Sequence, residues 1–397
     1  MSHSLAVPGE VRRIVVLRAL GLGDLLCAGP ALRALRAGFP EADIALLGLP
    51  WAQGFVTRHE VVDRWIGLPG WPGLDEQPLR PEALPAFLTD MQRQRFDLAV
   101  QLHGSGTASN GLVALLGARL CAGFHRAGGW VPPGQELRFR PWPEHGHESQ
   151  RLLALCRHLG MPAVDERLSF PLRPGDREAL GQVWPGLAAD APYVCLHAGA
   201  QLASRRWPAQ RFAAVADALY DAGYRIVLSG SAAELPLARQ LEDLMRAPCD
   251  NLVGLTSLWT LGALIAGARG LIANDTGVSH IAAALAVPSL IVSSGGDVSR
   301  WAPPDPALHR VLSKPAPCRP CAHRECPTGH GCAHALSVYE VLEALQSVLD
   351  LPPITAAPAA VPLSLSTFKG ATHGASSAHP DLARAWQLPL QPQPGPA

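Results

Sequence analysis

RRIVVLRALGLGDLLCAGPALRALRAGFPEADIALLG, residues 12–48, reads as a strand, a tight turn, a helix and a second strand. RRIVVLR at 12–18 is apolar without alternation, the pattern of a strand buried on both faces. GLGD supplies the turn, and the Leu- and Ala-rich stretch after it predicts a helix ending near Gly38. Pro30 lies inside that helix, which is therefore expected to kink or to begin anew with Pro30 in its first turn. ADIALLG at 42–48 is the next strand, and the alternation makes the fold α/β.

Outward from this stretch, residues 50–95 are rich in Pro, Gly and Trp and predict irregular surface structure before the strand FDLAVQL at 96–102. Pro171, Pro174 and Pro185 separate the two halves of the chain. The second half restarts with YVCLHAG at 193–199, followed by the helix AQRFAAVADALYDAG and the strand YRIVLSG at 224–230. NLVGL, a helix near 258–268, the strand GLIAND at 270–275, the helix HIAAALA and the strand SLIVSS complete a second parallel sheet with helices on both faces. LSVYEVLEALQSVL at 336–349 has helical periodicity and should pack on one of the domains. At 397 residues the chain is long enough for two cores, which fall in residues 1–175 and 190–350; the Pro-, Ala- and Ser-rich segment 351–397 predicts a disordered tail.

Charged residues make up 17% and the formal charge is +0, which excludes the basic footprint of a nucleic-acid binder. Any ligand must be recognised locally. The longest apolar stretch, 281–292, is too short to span a bilayer and contains Pro288, and the amino-terminal apolar run has no clear cleavage site, so a cytoplasmic chain is expected.

Gly21-x-Gly23 after a strand resembles half of a dinucleotide fingerprint, but the third glycine is missing and the second strand ends in LLGLPW without an acidic ribose partner. A nicotinamide-dependent oxidoreductase is thus a weak alternative. Asp24 lies just past the carboxyl end of the first strand, where it either caps the helix or serves as a general base toward a hydroxyl. In NDTGVSHIAAALAVPSLIV (274–292), Asp275 and Thr276 suit a helix cap, Gly277 permits close backbone approach, and the helix start offers free N–H groups to a diphosphate. His280 in its first turn can donate to a phosphate or a sugar hydroxyl, or be a core residue. Arg205 and Arg206, in HAGAQLASRRWPAQRF, can clamp a pyrophosphate or form an exposed basic loop. Glu234 in SGSAAE can hold a ribose or cap its helix. Arg33, Arg36 and Arg58 in the first half can meet an anionic acceptor, though a solvated surface explains each as well.

Together, GLGDLLCAGPALRALRAGFPEADI, HAGAQLASRRWP, NDTGVSHIAAALAVPSLIV and CRPCAHRECPTGHGC resemble glycosyltransferase family 9, the heptosyltransferases that use ADP-heptose. The resemblance covers roughly residues 12–350. It implies a GT-B fold: two Rossmann-like doubly wound domains facing across a cleft, the first mainly for the acceptor and the second for the nucleotide sugar. It implies Asp24 as the base, Arg205 where the family usually has a phosphate-binding Lys with Arg206 beside it, Glu234 on the ribose, and Asp275, Thr276, Gly277 and His280 at the donor diphosphate and sugar. The segment IVSSGGDVSRWAP departs from the family, which often has Phe-Gly before the Asp. The implied reaction is an inverting transfer of a sugar, heptose foremost, to a lipopolysaccharide core or similar lipid-linked saccharide, with peripheral contact at the inner face of the cytoplasmic membrane. A non-catalytic nucleotide-sugar-binding protein is the other alternative. No D-x-D triplet occurs, and no cofactor is expected in catalysis.

Cys27, Cys121, Cys156, Cys195 and Cys249 sit in apolar segments as small core residues. Cys318, Cys321, Cys326 and Cys332 have the ligand number of a structural zinc site, with His323, His330 and His334 nearby; four reduced thiols are the other reading.

Overall fold

The computed structural model describes residues 11–188 and 191–349; the expected tail at 351–397 lies outside them. The chain divides into two compact units. One runs to Pro171 and includes Gly277–Ala286 and Asp297–Asp305; the other holds Leu172–Thr276, Val287–Gly296 and the rest from Pro306.

The first unit carries β1 (Arg13–Leu17), β2 (Asp43–Gly48), β3 (Arg64–Gly67), β4 (Leu98–Gln101), β5 (Leu120–His125) and β6 (Phe139–Pro141) in the order β3-β2-β1-β4-β5-β6, every pair parallel. The four apolar residues of β1 are fully buried, and Val15 lies in register with Ala45 on one side and Ala99 on the other. That is why IVVL shows no alternation: helices cover both faces.

The second unit carries β7 (Tyr193–His197), β8 (Arg225–Leu228), β9 (Cys249–Asn251), β10 (Gly270–Asn274), β11 (Ser289–Val292) and β12 (His309–Leu312), ordered β12-β11-β10-β7-β8-β9 and again all parallel. Its core joins Val194, Leu196, Ile226 and Ile272 of the sheet to Phe212 and Leu219 of helix Ala209–Asp221 and to Val341, Leu342 and Leu345 of helix Val338–Leu349. The last helix thus packs as its periodicity predicts.

In both sheets the chain builds three strands outward in one direction, returns to the first strand and builds three in the other. Successive loops diverge where the order reverses, between β1 and β4 and between β7 and β10, and ligands bind doubly wound sheets at that point, beyond the carboxyl ends of the strands. Asp24 follows β1, and Asp275 follows β10.

Three expectations need correction. Helix Leu22–Gly38 does not begin anew at Pro30, which lies inside it, and it begins at Leu22, so Asp24 lies in its first turn instead of in a preceding turn. Residues 50–95 contain a helix (Ala52–Val56), the strand β3 and a longer helix (Leu84–Arg93); β3 is a four-residue, half-buried edge strand whose RWIG carries no periodic signal. β9 is Cys249–Asn251, with the predicted NLVGL mostly following it as a turn.

Candidate functional site

Asp24 does not cap its helix: the cap position is Gly21, which has no side chain to offer, and the carboxylate turns toward β1. There it meets Arg18, whose side chain is wholly buried. The Arg18 guanidinium donates from Nη1 to the Leu102 carbonyl (2.6 Å) and from Nη2 to the Asp24 carbonyl (2.9 Å). Nη2 also lies 3.2 Å from Asp24 Oδ1 and 3.1 Å from Oε1 of Glu148. Arg18 therefore ties the ends of β1 and β4 to the first helical turn at the switch point.

Glu148 opens helix Glu148–His158, its side chain 0% exposed, and its other oxygen accepts from Arg300 Nε at 2.8 Å. Arg300 belongs to the short helix Val298–Trp301 and lies over the rings of Trp301 and Trp142 at 4.6 and 5.7 Å. Burial alone would raise the Glu148 carboxyl; the guanidiniums of Arg18 and Arg300 outweigh it and hold it below the ordinary range. Asp24 goes the other way. Burial raises it, Arg18 pulls it down, Glu148 pushes it up again, and the net direction is upward. The Asp24 side chain keeps 28% of its surface exposed, so a carboxylate with enhanced basicity faces solvent at the mouth of the sheet.

Beside it, a loop braced by buried Gln101 follows β4: Gln101 Nε2 donates to the carbonyl of His103 and to Ser109 Oγ, each at 2.6 Å. His103 Nδ1 accepts from the Ala19 N–H (3.2 Å), and burial, with the Arg18 charge, pushes its pKa down to about 4. The imidazole is neutral at pH 7, so its 3.8 Å approach to Glu76 is not an ion pair there.

Helix Gly277–Ala284 packs on helix Leu22–Gly38 through two glycines. A Cβ on Gly23 would stand 2.6 Å from Cδ2 of His280 and 3.4 Å from the Gly277 Cα. His280 is buried, its Nδ1 3.7 Å from Cys27 Sγ and its ring edge-on to Trp301. The structure thus brings His280 next to the Gly23–Asp24 turn.

In the second unit Asn274, fully buried at the end of β10, donates to the Ala198 carbonyl (2.6 Å) and accepts from the Trp207 N–H (2.9 Å), joining the loops after β7 and β10. Asp275 Oδ2 accepts from Ser293 Oγ at 2.9 Å. Thr276 precedes the helix start at Gly277. Glu234 Oε2 accepts from Ser231 N and Oγ (2.8 and 2.9 Å), so the capping role is present, while Oε1 lies so close over Gly199 that a Cβ there would come within 1.7 Å. Arg205 donates to the Cys321 carbonyl at 2.8 Å, and its buried Nε has no hydrogen-bond partner among the described residues. Arg206 folds back on the Ala200 carbonyl.

The four clustered cysteines do not form the zinc site. Cys321 is buried with Sγ 3.7 Å from Ser204 Oγ, Cys318 is exposed, and Cys326 Sγ accepts from the His330 N–H. Among the described residues no group of three or more His, Cys, Asp or Glu is placed to hold a metal ion. The segment acts through its backbone and an arginine: Cys321 N donates to the Gly295 carbonyl (2.7 Å), and Arg319 donates to the carbonyls of Ser293, Ser294 and Gly296. Arg33 and Arg36 are likewise committed to protein partners, Asp165 O and Asp63 Oδ2 respectively. Cys27, Cys121, Cys156 and Cys195 are buried as expected and Cys249 is half-buried.

Arg18, Glu148, Arg300, His103, Asn274 and Arg319 escape a reading of the sequence. Only Arg18 leaves a trace there, as a charge closing a fully apolar strand, which demands a buried partner.

The fold has solved counterparts. A glycosyltransferase of family 9 from Veillonella parvula superposes with TM-score 0.70 at 20% identity, covering 88% of this chain and 99% of that one. The ADP-heptose lipopolysaccharide heptosyltransferase II of E. coli superposes with TM-score 0.67 at 22% identity, covering 85% and 98%. The two doubly wound sheets are those of the GT-B glycosyltransferases. The family profile of glycosyltransferase family 9 (heptosyltransferase) matches residues 86–331. The chain belongs to that family and is a glycosyltransferase. In sequence it is 26% identical over 332 residues to lipopolysaccharide heptosyltransferase 2 of Escherichia coli K12, covering 76% of this chain and 87% of the relative.

Proposed function

We propose that this enzyme transfers heptose from ADP-heptose to a core sugar of lipopolysaccharide or a similar lipid-linked saccharide, with inversion, and that Asp24 is the general base. The observation that carries the reading is the Asp24 carboxylate itself: part-exposed at a switch point, shifted toward greater basicity, with Oδ1 turned to Arg18. The family and the names of the relatives support the donor and the acceptor class.

In the step, the acceptor hydroxyl donates its proton to Asp24 Oδ2 as its oxygen bonds the anomeric carbon. The bond from that carbon to the phosphate oxygen breaks, and its electron pair leaves with ADP. We assign the diphosphate to Arg205, with its unpartnered Nε, and to the helix start at Thr276–Gly277; Arg206 stands beside them, Asp275 and His280 face the donor sugar, and Glu234 faces the ribose. On this reading residues 1–175 serve the acceptor, residues 190–350 serve the donor, and arginine charge with the helix dipole takes the place of a cation at the leaving group. No helix among the described residues is long and apolar enough to cross a membrane; a lipid-linked acceptor would be met by peripheral contact at the inner face of the cytoplasmic membrane.

Asp24→Asn tests this. Turnover of ADP-heptose with a truncated lipopolysaccharide acceptor should fall by roughly 10²–10⁴-fold, while ADP affinity by calorimetry stays at the parental value. A variant turning over at the parental rate would remove Asp24 from the mechanism.

A further inference from the structure

We propose that Glu148 and Arg300, acting through Arg18, are positioning residues for the Asp24 carboxylate: the four side chains form a chain of alternating charge that fixes Oδ1 and leaves Oδ2 to the acceptor hydroxyl. This rests on the reading of Asp24 as the base.

The geometry gives the chain its order. One nitrogen, Arg18 Nη2, serves both carboxylates, at 3.2 Å from Asp24 Oδ1 and 3.1 Å from Glu148 Oε1. Arg18 is itself immobilised by the carbonyls of Leu102 and Asp24, so it cannot follow one partner at the expense of the other. Glu148 is engaged at both oxygens, and Arg300 lies over the indole rings of Trp142 and Trp301. A wholly buried carboxylate with two guanidiniums is a poor way to stabilise a core, since apolar side chains of similar volume do as well or better. Its chemical use is plain at Asp24. A lone guanidinium at 3.2 Å would hold the base in its ionised form and make it a weak proton acceptor. Glu148 offsets that charge while leaving the hydrogen bond, so orientation is kept without the loss of basicity.

Other titratable and charged groups among the described residues surround these four side chains. Cys27 lies on the helix of Asp24, Glu76 approaches the same carboxylate, and His280 packs over Gly23. His103 feels Arg18, while His147, Arg151 and Asp297 surround Glu148 and Arg300. Glu148 pushes the Asp24 carboxyl up and Arg300 pulls it down, so removing one or the other must move Asp24 in opposite directions.

The experiment is the pH dependence of kcat and kcat/KM for the full chain and for Glu148→Gln and Arg300→Gln, with ADP-heptose and a truncated lipopolysaccharide acceptor. Glu148→Gln should move the acidic limb of kcat/KM to lower pH and lower kcat by on the order of tenfold, with KM for ADP-heptose little changed. Arg300→Gln should move the limb to higher pH, and Arg300→Lys should restore it. Limbs that stay in place, or that move together, would show the chain to be structural only and overturn the proposal. Arg300 is 29% exposed, so its variants keep the test available if Glu148→Gln does not fold. If Asp24→Asn retains turnover, the base assignment has failed; if it is inactive while the limbs stay fixed, only the positioning chain has failed.

Discussion

Asp24 is held at a cost to the fold. Its carboxyl is raised by burial, so the folded chain binds a proton there more readily than the unfolded chain does. A group shifted in that direction adds stability below its unfolded pKa and loses it as the pH rises through the folded value. The charged form of this carboxylate is therefore a liability to the fold, kept for chemistry. Asp24→Asn should be at least as stable as the parent at pH 7, with the advantage shrinking as the solution is acidified. Thermal unfolding at both pH values checks this, and a variant melting below the parent at pH 7 would contradict it. Arg18 makes the complementary point about legibility. A charge at the end of an apolar strand announces a buried partner, but that partner, Glu148, lies 130 positions away in a helix start that looks ordinary.

Helix Leu22–Gly38 was legible where its apolar stretch is long, and its entry was not, because Gly21 gives a cap with no side-chain signature. The strands follow the same logic. β1, β7 and β10 are central and buried on both faces, so their apolar runs are continuous and legible in the sequence. The edge strands β3 and β9 are short and half-buried, and β3 left no pattern against the Pro- and Gly-rich chain around it. Contacts between helices are invisible in the sequence for another reason: Gly23 has the pattern of a turn residue, yet it is the place where a second helix approaches. Gly23→Ala puts a methyl 2.6 Å from the His280 ring and should cost about 1–3 kcal/mol as the helices part. Gly54, inside helix Ala52–Val56, has nothing among the described residues within 4 Å of an added Cβ, so Gly54→Ala should instead gain roughly 0.5–1 kcal/mol of helix stability. Denaturant midpoints that move the same way in both variants would refute the close-packing argument.

At the scale of the whole molecule, two sheets of one strand order place their loops at two switch points, and the residues there respond to pH as part of the fold's stability. His103, after β4, is the clearest case. Its pKa is about 4 in the folded chain and near 6.5 when exposed, so on acidification the unfolded chain takes up its proton first. The stability tied to the neutral imidazole is thus complete above about pH 6.5 and declines as the pH falls toward 4, by about 3 kcal/mol in all. Glu76 does not rescue the charged form: its own carboxyl is raised by burial, so much of its charge is gone by the pH at which the imidazole ionises. His103→Gln keeps an acceptor for the Ala19 N–H and removes the titration. The variant should melt below the parent at pH 7 if the imidazole packs better, and the gap should close as the pH is lowered to 4.5, because only the parent pays for an uncharged imidazole. Two melting curves that stay parallel across that range would mean His103 is not the neutral, buried group that the end of β4 requires.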